Sequence, residues 1–333
     1  MGTSQSRLSA SDNAQKNNEV DVPLQDIRRV VLGLLADCEV PYVVRPYDQI
    51  LHDHCLAVCE ERGYPIGSHS DRDSDSKLGI DNKFSLLPFL PTGVSMSSIT
   101  YGHLNLGLPR LTYIALFTTF LTYMDDLFKR DIESVALFAK RLVRGESQGH
   151  PVLDGLVEVL NDAETHFGRT VANIVVHDVL AFFNSLLLNY ETQGLNWSRD
   201  AAGFPNFIRL MSGVSTAYSM FTFPADMALT RYIQAIPEIG DYNCYLNDVL
   251  SFYKEEIRGE EDNYISQVAK AQGLTKNEVL KKLANDVANT TNRLNKILEG
   301  DPDAYHAWSG FKSGYIHYHI SNPRYKLDDL HLG

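Results

Sequence analysis

The sequence predicts a single all-α domain, a helical bundle around a deep apolar cavity. Three observations lead there. Apolar residues recur at helical spacing along nearly the whole chain from Val22 onward. No strand-turn-strand alternation appears, and the β-branched run at 40–44 is isolated and broken by Pro41. Hydrophobic residues make up 44 % of 333 positions, enough to fill one large core. No repeat period divides the chain.

Residues 1–21 are polar and read as a disordered leader, ahead of a domain at 22–333. The start, Met1-Gly2-Thr3-Ser4-Gln5-Ser6, matches the myristoylation pattern. A polar disordered leader is the preferred reading, and one acyl chain would bind membrane only marginally. Segments 24–35 and 47–62 are amphipathic helices, and 67–82, rich in Ser, Asp and Gly, reads as an exposed loop. Segment 111–128 is apolar or Thr on all sides, the mark of a central buried helix. Helices follow at 132–144, 152–167 and 169–190, the last two divided near Gly168. Segment 204–236 holds one or two helices with a break around Gly213. Then come 241–257, a surface helix of alternating charge at 275–298, and 303–320, which stops at Asn322-Pro323.

A formal net charge of −12 argues against nucleic acid or anionic membrane as the main partner. There is no G-x-x-x-x-G-K-[ST] or G-x-G-x-x-G phosphate loop. Four cysteines, Cys38, Cys55, Cys59 and Cys244, are too few for a disulfide framework, and no secretory signal precedes them. They read as reduced thiols in the cytoplasm. His52, His54, Cys55 and Cys59 cluster, but no second pair at finger spacing follows. The two cysteines therefore read as small core residues rather than zinc ligands. No run of eighteen apolar residues exists, so no transmembrane segment is expected.

Asn247, Ser251 and Glu255 stand at i, i+4 and i+8, which places them on one narrow helical face. An amide oxygen, a hydroxyl and a carboxylate then project together, all hard oxygen donors of the kind Mg²⁺ takes. Val249, Leu250 and Phe252 between them bury the helix, so the polar face needs partners. Asp125 and Asp126 end the apolar helix at 111–128. Two adjacent carboxylates are costly to desolvate there but tolerable at a cavity rim bridged by cations.

The Asn-Asp-x-x-Ser-x-x-x-Glu spacing resembles the second metal motif of class I terpene cyclases, which ionise isoprenoid diphosphates with Mg²⁺. Asp125 and Asp126 are similar to the first two positions of that family's aspartate-rich motif. Lys129 occupies the fifth position, where a carboxylate is usual. Asp131, the next acidic residue, lies six residues past Asp125, about 240° round a continuing helix, and so faces away. Arg209 before Gly213 resembles the family's diphosphate-sensing arginine ahead of a helix break. Lys254 and the Arg324-Tyr325 pair resemble features of the fungal trichodiene synthase-like sesquiterpene cyclases. The resemblance covers roughly residues 22–330.

It implies three Mg²⁺ ions clamped by Asp125, Asp126, Asn247, Ser251 and Glu255, with Arg209, Lys254, Arg324 and Tyr325 on the diphosphate. It implies farnesyl diphosphate as substrate, a sesquiterpene hydrocarbon or alcohol as product, and release of diphosphate. Phe89, Phe117, Tyr218, Phe221 and Tyr318 are candidates for an aromatic wall that stabilises cations. Two alternatives stay open. A chain-elongating prenyltransferase shares the fold but carries a second aspartate-rich motif in place of Asn247, Ser251 and Glu255. A catalytically inactive helical interaction protein would fit the lost carboxylate at Lys129. A homodimer is compatible with either enzyme reading.

Overall fold

The computed structural model describes residues 22–67, 84–196, 198 and 200–333. The leader at 1–21 and nearly all of the loop expected at 67–82 lie outside them. Among the described residues there are thirteen α-helices and no strand. The first seven are α1 (Leu24–Asp37), α2 (Gln49–Arg62), α3 (Leu90–Tyr101), α4 (Leu108–Leu127), α5 (Ile132–Arg144), α6 (Pro151–Phe167) and α7 (Arg169–Glu191). The rest are α8 (Phe204–Ser212), α9 (Ser215–Phe221), α10 (Ile236–Arg258), α11 (Tyr264–Gln272), α12 (Lys276–Leu298) and α13 (Pro302–Ser321).

Every helix predicted from the sequence is present, and 204–236 resolves into α8, α9 and two 3-10 turns. Two helices were not predicted, α3 and α11. Helix α3 holds Pro91 and Gly93 and a run of Ser and Thr, which weakens its helical signal. It folds because both sides are covered: it packs on α4 and α13.

Helix α4 is the central element, buried continuously from Thr112 to Leu121. Its threonines remain tolerable because Thr112, Thr119 and Thr122 bond back to carbonyls one turn earlier, at 2.7–2.8 Å. Two glycines let neighbours approach closely. A Cβ on Gly93 would overlap the Ala115 carbonyl oxygen of α4. A Cβ on Gly314 would lie 2.6 Å from Ile99 O, so α13 can seat on α3 only through glycine.

Helix ends are closed by sequence-encoded caps. Asp48, Asp131 and Asp301 accept from the third residue of α2, α5 and α13, and Thr275 with Glu278 forms a capping box on α12. Asp131 is therefore a cap. The expectation that it continues the helix of Asp125 is corrected: α4 stops at Leu127 and a 3-10 turn intervenes at Phe128–Arg130.

Helix α7 is long and apolar enough to cross a membrane by length and composition. In the structure it packs within the bundle against α5, α6, α8 and α9. Cys55 and Cys59 face the core at no more than 1 % exposure. Among the described residues no three His, Cys, Asp or Glu side chains gather into a group that could hold a metal.

The segment between α1 and α2 wraps the C-terminal end of the chain. Lys312 Nζ donates to Cys38 O at 3.0 Å, Arg45 N to Ser321 Oγ at 2.8 Å, and Tyr42 OH to Asp328 Oδ1 at 2.8 Å. Arg28 of α1 adds bonds to the carbonyls of Leu330 and His331. These contacts hold the turn that carries Arg324 and Tyr325.

Two glycine substitutions separate close packing from helix propensity. Gly93→Ala should destabilise the fold by about 1–3 kcal/mol through overpacking. Gly33→Ala, exposed on α1 with nothing near its Cβ position, should stabilise by up to about 1 kcal/mol. Denaturant unfolding of both variants checks the opposite signs.

Candidate active site

A cavity of about 260 Å³ opens between α3, α4, α7, α10 and α13. One face of α4 supplies Thr118, Leu121, Thr122 and Asp125, at helical spacing. One face of α10 supplies Asn243, Asn247, Ser251, Lys254 and Glu255. The 3-10 turn Pro323–Tyr325, just past α13, brings in Arg324 and Tyr325. The structure thus gathers Asp125, Arg209, Asn247, Ser251, Lys254, Glu255, Arg324 and Tyr325 around one space.

Asp126 does not line it. One residue on from Asp125, its carboxylate turns toward the C-terminal turn and takes Arg324 in a two-point pair, with both N–O distances 2.8 Å. Lys129 sits in the 3-10 turn, exposed beside the Phe128 ring. Helix α4 has ended two residues earlier, so the fifth position of the aspartate motif no longer shares the face of Asp125.

Asp125 is open to the cavity's solvent, although the protein around it desolvates its carboxyl. Burial first, and Asp126 second, push its pKa above the usual carboxylate range. The positive charges of Arg324, Lys254 and Arg209 oppose that shift, so three cations face it.

Across the cavity the Glu255 carboxyl is pushed up to about 7, chiefly by burial, with Lys254 and Ser251 pulling the other way. Lys254 Nζ lies 3.6 Å from Glu255 Oε1. Ser251 Oγ is buried and completes no hydrogen bond among the described residues. A buried hydroxyl oxygen between an amide oxygen and a carboxylate is a donor set that suits a hard cation.

Arg209 bridges α8 to α10. Its Nε donates to Asp248 Oδ2 at 2.9 Å, and its Nη2 to Cys244 O at 3.1 Å and Asn247 Oδ1 at 3.4 Å. Asn247 Nδ2 contacts His319 Nε2 at 3.1 Å. His319 is fully buried, and burial holds its pKa down to about 3, so the ring is neutral.

The break expected at Gly213 is present, but the residue taking the left-handed backbone is Val214, with φ of 46°. Gly213 itself keeps an ordinary φ of −77°, and a Cβ there would lie 2.8 Å from Cys244 Sγ. Glycine is needed for space, not for conformation. A β-branched residue at positive φ costs on the order of 1–3 kcal/mol, and such strain tends to sit at functional sites. Asp178 of α7 caps the start of α9 by accepting from Ala217 N at 2.8 Å.

Of the aromatic candidates, Tyr218 and Tyr318 line the cavity. Phe117 and Phe221 stand behind Tyr218, with ring centroids 5.7 and 6.1 Å from it, and Phe89 packs on Tyr123 instead. Met96, Phe182 and Tyr315, also on the wall, were not anticipated. Their sequence contexts are ordinary buried helices with no local mark of a wall position.

Residues 91–331 match the trichodiene synthase (TRI5) family. The chain belongs to that family. It is 37 % identical over 305 residues to alpha-cuprenene synthase COP6 of Coprinopsis cinerea, covering 92 % of this chain and 90 % of the relative. It is 33 % identical to longiborneol synthase CLM1 of Gibberella zeae, over 66 % of this chain and 67 % of that one. The fold is also that of linalool/nerolidol synthase from Streptomyces clavuligerus, with a TM-score of 0.60 at 14 % identity, over 84 % of this chain and 98 % of that one. Family membership places the chain among the terpene synthases.

The raised Glu255 carboxyl makes a signed prediction. Its folded value, about 7, exceeds the ordinary 4.5, so its ionisation opposes folding. Nothing is lost below about pH 4.5, and the penalty is complete once pH passes 7. Without metal, Glu255→Gln should be more stable than wild type by about 1–3 kcal/mol at pH 8. The difference should fade to nothing near pH 4.5. Paired urea melts across that range measure it.

Proposed function

We propose that the chain is a Mg²⁺-dependent sesquiterpene cyclase that ionises farnesyl diphosphate and cyclises the resulting carbocation, releasing diphosphate. The observation that carries this is the facing of Asp125 and the Asn247, Ser251, Glu255 row across one cavity, with Ser251 Oγ left unpartnered. Those four residues would hold magnesium, and bound there it would offset the charge that develops on the departing diphosphate.

The protein's own cations complete the site. Arg209, Lys254 and Arg324 converge on the cavity, and Tyr325 stands beside them. Arg324 would exchange its two-point hold on Asp126 for two oxygens of a diphosphate, which its planar fork can also bind in pairs. The deeper wall, with Met96, Leu121, Phe182, Tyr218, Tyr315 and Tyr318, offers apolar surface and π-faces to a carbocation while excluding water. Four cysteines, all buried and unpaired, support a cytoplasmic setting.

Purified protein incubated with farnesyl diphosphate and Mg²⁺ should yield cyclic C15 hydrocarbons or alcohols by mass spectrometry. A longer prenyl diphosphate, formed when isopentenyl diphosphate is added, would favour chain elongation instead. Turnover of no prenyl diphosphate would remove the enzyme reading. Glu255→Gln and Asp125→Asn should each lower the rate about 10²-fold or more, whereas Asp131→Asn should change it little.

Arg324→Ala provides a separate check. Mg²⁺ with inorganic diphosphate should raise the wild-type melting temperature, and the variant should lose much of that rise. Its product mixture should shift toward early-quenched alcohols. A full shift with unchanged products would mean Arg324 closes nothing.

A further inference from the structure

His319 lies on α13 with no exposed surface, clasped between the rings of Tyr315 and Tyr325 at centroid distances of 4.6 and 4.4 Å. Its Nδ1 is 2.8 Å from the Tyr315 carbonyl oxygen. A carbonyl only accepts, so Nδ1 carries the hydrogen and Nε2 of the neutral ring is an acceptor. That acceptor faces Asn247 at 3.1 Å.

An asparagine amide is nearly symmetric in shape, but its ends differ in chemistry. Only the NH₂ end can satisfy His319 Nε2. The oxygen must then point the other way, where Arg209 Nη2 waits as a donor at 3.4 Å. Acceptor on one side and cation on the other choose the same orientation.

We propose that His319 is a positioning residue: through its fixed Nε2 acceptor it holds the Asn247 amide with oxygen, not nitrogen, presented to a cation in the cavity. This rests on the reading that Asn247 is a magnesium ligand. A flipped amide would offer NH₂ to the cation, which cannot coordinate. His319 does not touch substrate and moves no proton.

The test uses the full chain and the Mg²⁺ concentration needed for half-maximal thermal stabilisation at fixed inorganic diphosphate. His319→Phe keeps the ring and loses the acceptor. Its midpoint should rise about 10–100-fold, as for other partners that orient a metal ligand. His319→Gln restores an acceptor oxygen and should recover most of that loss. In an Asn247→Ala background, His319→Phe should add no more than about twofold, because its route to the metal is gone. If the phenylalanine variant does not fold by its apo melt, His319→Met, which also lacks a strong acceptor, takes its place.

An equal loss in both backgrounds would overturn the proposal, since it would reveal general damage to the wall. So would an unchanged midpoint in the acceptor-less variant. An Asn247→Ala variant with a wild-type midpoint would overturn the magnesium reading beneath it, which a failure confined to His319 would leave standing.

Discussion

The constraint that shapes this molecule is the cost of holding carboxylates inside an apolar bundle. Asp125 and Glu255 both stand on helices whose other faces are core, and burial raises both above their ordinary range. Neither has a direct two-point partner. Each is instead surrounded by cations at a distance, Lys254 close to Glu255 and three positive groups around Asp125. A fold that only sought stability would replace such groups with apolar ones, often at a gain. Their presence, with the buried Ser251 hydroxyl between Asn247 and Glu255, is what the proposed cation site would account for.

The surrounding architecture holds that site at the meeting of helices. Gly93 and Gly314 bring α3 against α4 and α13, two of the helices that line the cavity. Val214 stores strain at the α8–α9 break, and Arg209 ties the preceding helix to the Asn247 row through Asp248. The C-terminal turn is braced by the segment between α1 and α2, so Arg324 arrives from a supported element rather than a free tail. Strain and bracing meet at the same mouth.

Much of this was legible in the sequence, for identifiable reasons. Helical periodicity exposed the long amphipathic helices, and the all-round apolar character of 111–128 exposed the central one. The row at Asn247, Ser251 and Glu255 was readable because i, i+4, i+8 geometry survives folding unchanged. What could not be read depended on tertiary contact. Helix α3 is stabilised by its neighbours rather than by its own residues. The end of α4 at Leu127 put Asp131 into a cap, which periodicity alone cannot foresee. His319 shares its face with Tyr315 and looks like any aromatic-rich core position until Asn247 is seen beside it. Val214, not its glycine neighbour, carries the unusual backbone, because residue type at a break indicates space as often as conformation.

The divided fate of Asp125 and Asp126 shows how one dipeptide can serve two ends. Successive helical residues are rotated by about 100°, so only one of the pair can face the cavity. Asp125 does, and Asp126 is directed at the C-terminal turn, where it meets a guanidinium in matched geometry. The motif that appears incomplete at Lys129 is thereby less demanding than its sequence suggests. A third carboxylate would sit beyond the helix end, off the face that Asp125 shares with Thr118, Leu121 and Thr122. Substitution there by an exposed lysine removes a charge from outside the cavity and leaves its oxygen donors as they were. The cavity therefore receives one carboxylate from α4 and three oxygen-bearing side chains from α10, while the second aspartate pairs with Arg324 of the C-terminal turn.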